Sequence, residues 1–169
     1  MRIVVAGFGN VLRRDDGFGV AVIAALAHEP TPAEVTLLEI GIGGIHLVQQ
    51  LDAEMDALIV VDAVDIDRAP GTVVVVEPDV LDVDAMSAEE RRDQLADVHY
   101  ATPDRALMLA RGLQVLPAYT VVVGCRPADV DTYVHGLTEA VARAVPVAVD
   151  EIRRLVTDLG VTWTTGTST

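Results

Sequence analysis

The sequence predicts an α/β protein: a three-layer sandwich, with a twisted, mostly parallel five-stranded sheet carrying helices on both faces. Three observations predict it. Strand-like and helix-like apolar runs alternate along the 169 residues, which is the signature of a layered α/β domain. The run Leu58-Ile59-Val60-Val61 is apolar throughout rather than alternating, as expected of a strand covered on both faces. Crossovers between parallel strands are right-handed, so helices should lie on both sides of one sheet.

Each element has its own local signal. Residues 2–7 form the first β-rich run, ending at Gly7-Phe8-Gly9-Asn10. A helix over 18–28 follows, with Val20, Ile23, Ala24 and Leu26 on its apolar face. A second strand over 35–39 is broken by glycines 41, 43 and 44, and a short helix covers 45–51. The third strand spans 57–62. Pro70-Gly71 is a turn signal, and a fourth strand over 72–76 follows it. That strand is expected at an edge, where an antiparallel orientation fits. Residues 78–98 are acidic and poor in β signal, and read as a long surface segment. Thr102 reads as an N-cap, with Pro103 at the first helical position and a helix body over 105–113. A fifth strand over 118–123 and a last helix over 138–156 complete one domain, residues 1–159. The Thr-, Ser- and Gly-rich stretch 160–169 is expected to be a frayed, flexible tail. The expected strand order is 2-1-3 at the heart of the sheet, with the fifth strand beside the third.

Composition excludes several classes of function. Half of the chain is hydrophobic (51%), which excludes a disordered or collagen-like chain. The 26 acidic residues oppose 12 basic ones, all arginine, for a net charge of −14. Nucleic acid is therefore not an expected partner, since phosphate binding needs a basic face; an anionic membrane surface is not expected either. No apolar run reaches the ~18 residues of a membrane helix, and no secretory signal pattern opens the chain. One cysteine cannot form an internal disulfide, so a reducing cytoplasm is the expected compartment.

In an open α/β sheet, ligands bind beyond the carboxyl ends of the strands. Those positions here are Gly7, Gly9, Asn10, Asp15 and Asp16 after strand 1, Glu39 at the end of strand 2 and Asp62 at the end of strand 3. Gly124, Cys125 and Arg126 follow strand 5. His99 reaches the same rim only if the segment before it folds back. Two carboxylates and an imidazole suit a borderline metal ion such as zinc or nickel, and the carboxylates could equally activate water. Acids crowded on one rim need a cation, a shared proton or good solvation. Structural readings compete residue by residue. Asp15 or Asp16 could cap the helix that begins near Gly17, Asp62 could be a turn former, and Cys125 a small buried hydrophobe. Gly7-Phe8-Gly9 resembles a dinucleotide loop, but Leu12 stands where its third glycine belongs.

The run Gly7-Phe8-Gly9-Asn10-Val11-Leu12-Arg13-Arg14-Asp15-Asp16-Gly17-Phe18-Gly19 resembles the opening of the [NiFe]-hydrogenase maturation endopeptidases, G-x-G-N-x-L followed by D-[ED]-G-x-G. Further matches follow in order: Asp62-Ala63 after the apolar strand, Pro70-Gly71-Thr72, His99 ahead of a helix, Gly124-Cys125-Arg126-Pro127 and Gly136-Leu137-Thr138. The resemblance runs over about residues 1–156. It implies an enzyme that removes the C-terminal extension of a hydrogenase large-subunit precursor after nickel insertion. The nickel would be carried by the substrate, with no tightly bound cofactor of the enzyme's own. It implies that Asp16, Asp62 and His99 contact the metal, that Asp16 or Asp62 activates water, and that Glu39, Gly41 and Asn10 touch substrate. Where the family often has D-G-G-T after strand 2, this chain has Glu39-Ile40-Gly41-Ile42. Two other functions use the same residues: a non-catalytic chaperone for the nickel-loaded subunit, and a small-molecule metallohydrolase.

Overall fold

The computed structural model describes residues 1–87, 89–90 and 102–164. The apolar runs become a five-stranded sheet in the order β2-β1-β3-β5-β4. Here β1 is Ile3–Phe8, β2 Val35–Gly41, β3 Ala57–Ala63, β4 Val73–Val76 and β5 Tyr119–Cys125. All neighbours are parallel except β4, which runs antiparallel on β5 at the sheet edge. The predicted order and the edge position of the fourth strand are both found. β4 is only four residues long, a length that limits pairing with other chains.

Successive strand residues point to opposite faces, and two cores result. Ile3, Val5, Ile59 and Val61 meet Phe18, Val22 and Leu26 of α1 (Phe18–Ala27) on one face. Val4, Ala6, Phe8, Leu58 and Val60 meet the other, where α2 (Gly44–Gln50) and α3 (Pro103–Gly112) contribute Leu47 and Leu107. The helix α4 (Glu139–Asp158) completes the α1 face through Val141, Ile152 and Val156. With both faces covered, all six residues of β1 are buried, so the strand needs no polar alternation.

One expectation is corrected. The chain does not fray at Gly160. Gly160 adopts φ +94°, its N–H donates to the Thr157 carbonyl, and the Val161 N–H donates to the Val156 carbonyl. That pair of bonds is a Schellman stop, which uses a left-handed glycine to reverse the chain. Val161 and Trp163 consequently fold back and are buried in the α1/α4 core. Residues 165–169 of the expected tail lie outside the described residues. Within the expected surface segment 78–98, Val83–Ala85 form a 3-10 turn and Val83 is buried; residues 88 and 91–98 lie outside the described residues.

α1 starts unusually close to the sheet. A Cβ on Gly19 would lie 2.2 Å from the Val61 carbonyl oxygen and 2.4 Å from that of Phe8. Glycine at this position lets the helix begin directly above β1 and β3. The 3-10 turn that precedes it, Arg14–Gly17, is therefore pressed against the carboxyl end of β3.

Candidate active site

The connection from β1 to α1 is built largely from its own backbone. The Asn10 side-chain Oδ1 accepts from the Leu12 N–H at 2.9 Å, an Asx turn of the kind asparagine favours. The Asn10 N–H donates to Asp16 Oδ2 at 3.0 Å, so the loop closes on its own carboxylate. Gly9 is obligatory in this loop: its φ is +119°, and a Cβ would sit 1.7 Å from the Asp16 carbonyl oxygen. Beside it, the Gly9 N–H donates to the Gly41 carbonyl at 3.0 Å, so the end of β2 is tied to the same loop.

Asp16 and Asp62, predicted from separate parts of the chain, are brought together. Asp62 sits at the carboxyl end of β3, half-buried, and its Oδ1 accepts from the Ala63 N–H at 2.9 Å. Burial pushes its carboxyl up to about 7; the Ala63 bond opposes the rise, and the charges of Asp16 and Asp104 add to it. The 14–17 turn that carries Asp16 packs against β3, which carries Asp62. Each carboxylate spends one oxygen on the backbone. Asp16 Oδ1 and Asp62 Oδ2 accept no hydrogen bond among the described residues, which leaves both available to a cation, a water or a polypeptide.

The remaining expected residues divide. Gly41 lies beside Gly9, at φ +58°. Asn10 is on the loop, with its side-chain oxygen engaged in the turn. Glu39 is exposed on the edge strand β2, and the charges that act on Asp62 are those of Asp16 and Asp104 rather than Glu39. His99 lies outside the described residues. Among the described residues no three histidine, cysteine, aspartate or glutamate side chains form a metal-binding group. The oxygens of Asp16 and Asp62 fit a divalent cation chemically, as two of its ligands.

Two further acids shape the site: Asp104, which the sequence did not point to, and Asp15, which it offered as a rim position or a helix cap. Asp104, in the first turn of α3, adds a third negative charge near Asp62. Its sequence signal is an acid at the start of a helix, the favoured place for one. Asp15 is completely buried. Its Oδ2 accepts from the N–H groups of Ala128 and Asp129 at 2.9 and 3.0 Å and from the Thr138 hydroxyl at 2.9 Å. Its Oδ1 accepts from the Thr138 N–H at 2.6 Å. Of the two adjacent acids, Asp15 therefore clamps the β5–α4 loop while Asp16 faces the rim. Thr138 is the N-cap of α4, but its hydroxyl bonds Asp15 instead of the helix. Thr102, at the start of α3, likewise makes no side-chain cap bond. Cys125 is fully buried, and burial with the nearby Asp15 charge pushes its thiol up to about 11, as suits an inert core residue.

Comparison with known proteins gives a consistent answer. The HycI hydrogenase maturation protease family model matches residues 20–155. The hydrogenase expression/formation protein HupD of Rhodobacter capsulatus is 34% identical over 166 residues, which cover 98% of this chain and 76% of HupD. The hydrogenase maturating endopeptidase HybD from E. coli superimposes with a TM-score of 0.77 at 27% identity, covering 96% of each chain. A hydrogenase 2 maturation peptidase from a Thaumarchaeota archaeon has a TM-score of 0.65 at 30% identity, covering 95% of this chain and 99% of its own.

Proposed function

We propose that this chain, which belongs to the hydrogenase maturation protease family, removes the C-terminal extension of a [NiFe]-hydrogenase large-subunit precursor once nickel has been inserted. The observation that carries the reading is the convergence of Asp16 and Asp62 at the carboxyl edge of the sheet, each with one oxygen uncommitted among the described residues. In this reading Asp16, Asp62 and His99 recognise nickel held by the substrate, so nickel is part of what is bound rather than a resident cofactor. Glu39, Gly41 and Asn10 are assigned to the polypeptide around it.

The electrostatics give a physical basis for discrimination between loaded and empty precursor. Burial favours a proton on Asp62, and the charges of Asp16 and Asp104 crowded beside it add to the effect. A divalent cation delivered by the substrate compensates that crowding; an empty precursor offers no such compensation. One of the two carboxylates takes a proton from water, the resulting hydroxide attacks the scissile carbonyl carbon, and the proton passes to the leaving amine as the C–N bond breaks. The aspartic-type, nickel-dependent assignment rests on this pair. The expected partner is the large-subunit precursor; no nucleic acid or membrane partner is part of the reading. No helix among the described residues is long and apolar enough to cross a membrane, and a cytoplasmic location is the expected setting.

The test is a cleavage assay with nickel-loaded and nickel-free precursor, the products weighed by intact mass spectrometry. Loss of a C-terminal peptide from the loaded form alone supports the reading. The variants Asp16→Asn, Asp62→Asn and His99→Ala should each abolish cleavage while retaining the fold. Normal processing by all three, or a stable complex with no cleavage, overturns it.

A further inference from the structure

Asp15 is the one charged residue that is buried among the described residues, with none of its surface exposed. A carboxylate taken out of water is costly, and apolar side chains of similar volume often hold a segment as firmly. Stability alone therefore gives no reason for a charge here. Its position in the chain does. Asp15 directly precedes Asp16, and both lie in the 3-10 turn Arg14–Gly17, which packs against β3.

Asp16 is held from two sides. On one side are contacts within its own loop: its Oδ2 accepts from the Asn10 N–H at 3.0 Å, and its carbonyl oxygen fills the space that a Cβ on Gly9 would need. On the other side the turn is fastened to the β5–α4 loop, more than 110 residues away in sequence. The Asp15 carboxylate accepts from three N–H groups and one hydroxyl of that loop. Two backbone bonds run beside it: the Arg14 N–H donates to the Val134 carbonyl at 3.1 Å, and the Asp15 N–H to the Asp129 carbonyl at 3.0 Å. Between the two sides stands Arg14, at φ +46°. A non-glycine residue in this left-handed region is strained and persists there only where the surrounding structure over-determines it. The bonds to the β5–α4 loop do so, and the course of the turn is set from outside rather than by local preference.

We infer that Asp15 is a positioning residue: by binding the β5–α4 loop it fixes the 14–17 turn, and through that turn the place of the Asp16 carboxylate at the rim. Asp15 itself is shielded from substrate and acts only through Asp16. The inference rests on the proposed function for its effect on cleavage, while its effect on Asp16 can be read without any substrate.

Three variants test it. Asp15→Asn sets an amide N–H2 group among four donors. Thr138→Val removes one donor to Asp15, and Thr138→Ser keeps it. Two readouts are taken on fully folded protein, as judged by Trp163 fluorescence. The first is amide hydrogen exchange of the Asn10 N–H, which is held by Asp16, against that of the Leu12 N–H, which is held by Asn10 itself. The second is kcat at saturating nickel-loaded precursor. In Asp15→Asn the Asn10 exchange should quicken about tenfold or more relative to Leu12, the mark of a local opening. Its kcat should fall about 100-fold, the cost of misplacing a reacting group by ~1 Å. Thr138→Val should move both readouts the same way by about 3–10-fold, with one of four bonds lost, and Thr138→Ser should restore both. A purely structural role would lower the urea midpoint and leave both readouts unmoved. The inference is overturned by an unchanged exchange ratio or kcat in Asp15→Asn, or by a Thr138→Ser protein as impaired as Thr138→Val. If Asp15→Asn does not fold, the Thr138 pair decides. Failure of the unmodified protein to cleave any loaded precursor would overturn the proposed function instead, and the exchange ratio would still decide whether Asp15 places Asp16.

Discussion

Removing the Asp15 carboxylate should unfasten the site without touching Asp16. In Asp15→Ala, four donors lose their acceptor at once: the N–H groups of Ala128, Asp129 and Thr138, and the Thr138 hydroxyl. Hydrogen bonds to a charged group contribute ~1.5–3 kcal/mol each, but four to one carboxylate do not add, since water can enter the space left behind. Deleting one partner of a buried charged network costs about 3–5 kcal/mol, and that is the expected loss here. Against a total stability of about 5–15 kcal/mol, this is a large fraction. The single tryptophan, Trp163, is buried in the α1/α4 core and reports urea unfolding by fluorescence. With m near the middle of the ~1–3 kcal/mol/M range for urea, the midpoint should fall by about 1.5–2.5 M. Thr138→Val removes only the hydroxyl donor and should cost about 1 kcal/mol. Asp15→Asn should fall between the two, because its amide presents a donor where the carboxylate presents a second acceptor. A shift of less than about 0.5 M for Asp15→Ala, at unchanged m, would refute the argument that this carboxylate holds the loop.

Three further outcomes follow from the same geometry. Asp62 is raised from 3.8 to about 7, so the folded protein binds more protons than the unfolded chain between those values. The stability linked to its protonation is present in full below about pH 4 and lost as pH rises through about 7. Asp62→Asn should therefore flatten the decline of the urea midpoint between about pH 4 and pH 7, and an unchanged slope would count against the burial of this carboxyl. Gly9→Ala meets both a left-handed φ and a backbone oxygen 1.7 Å from the new Cβ. It should destabilise by more than ~2 kcal/mol and impair cleavage, which urea unfolding and the precursor assay together would measure. Cys125, buried with its thiol raised to about 11, should resist a thiol reagent at pH 8 until urea unfolds the chain; rapid labelling of the native protein would contradict that placement.

The sequence by itself determined the layers, the strand order and the rim. Unbroken apolar runs at 3–6 and 57–61 can be satisfied only by strands covered on both faces. The punctuation by glycine and proline then set nearly every boundary, and the acids that follow strand ends had to gather at one edge. Asp16 and Asp62 were legible for that reason. Tertiary structure alone decided how neighbouring residues divide their work. Asp15 and Asp16 are chemically identical and adjacent, yet one is completely buried under a loop more than 110 residues away while the other faces the rim. No local pattern encodes a partner at that separation. The same holds for Asp104, whose charge reaches Asp62 only because α3 packs with its first turn at the rim. It holds too for Val161 and Trp163, whose Thr- and Gly-rich setting reads as a tail until the Gly160 turn returns them to the core. Periodicity reports which faces are apolar, whereas the contacts that fix a catalytic rim are made between distant segments and exist only once the chain has folded.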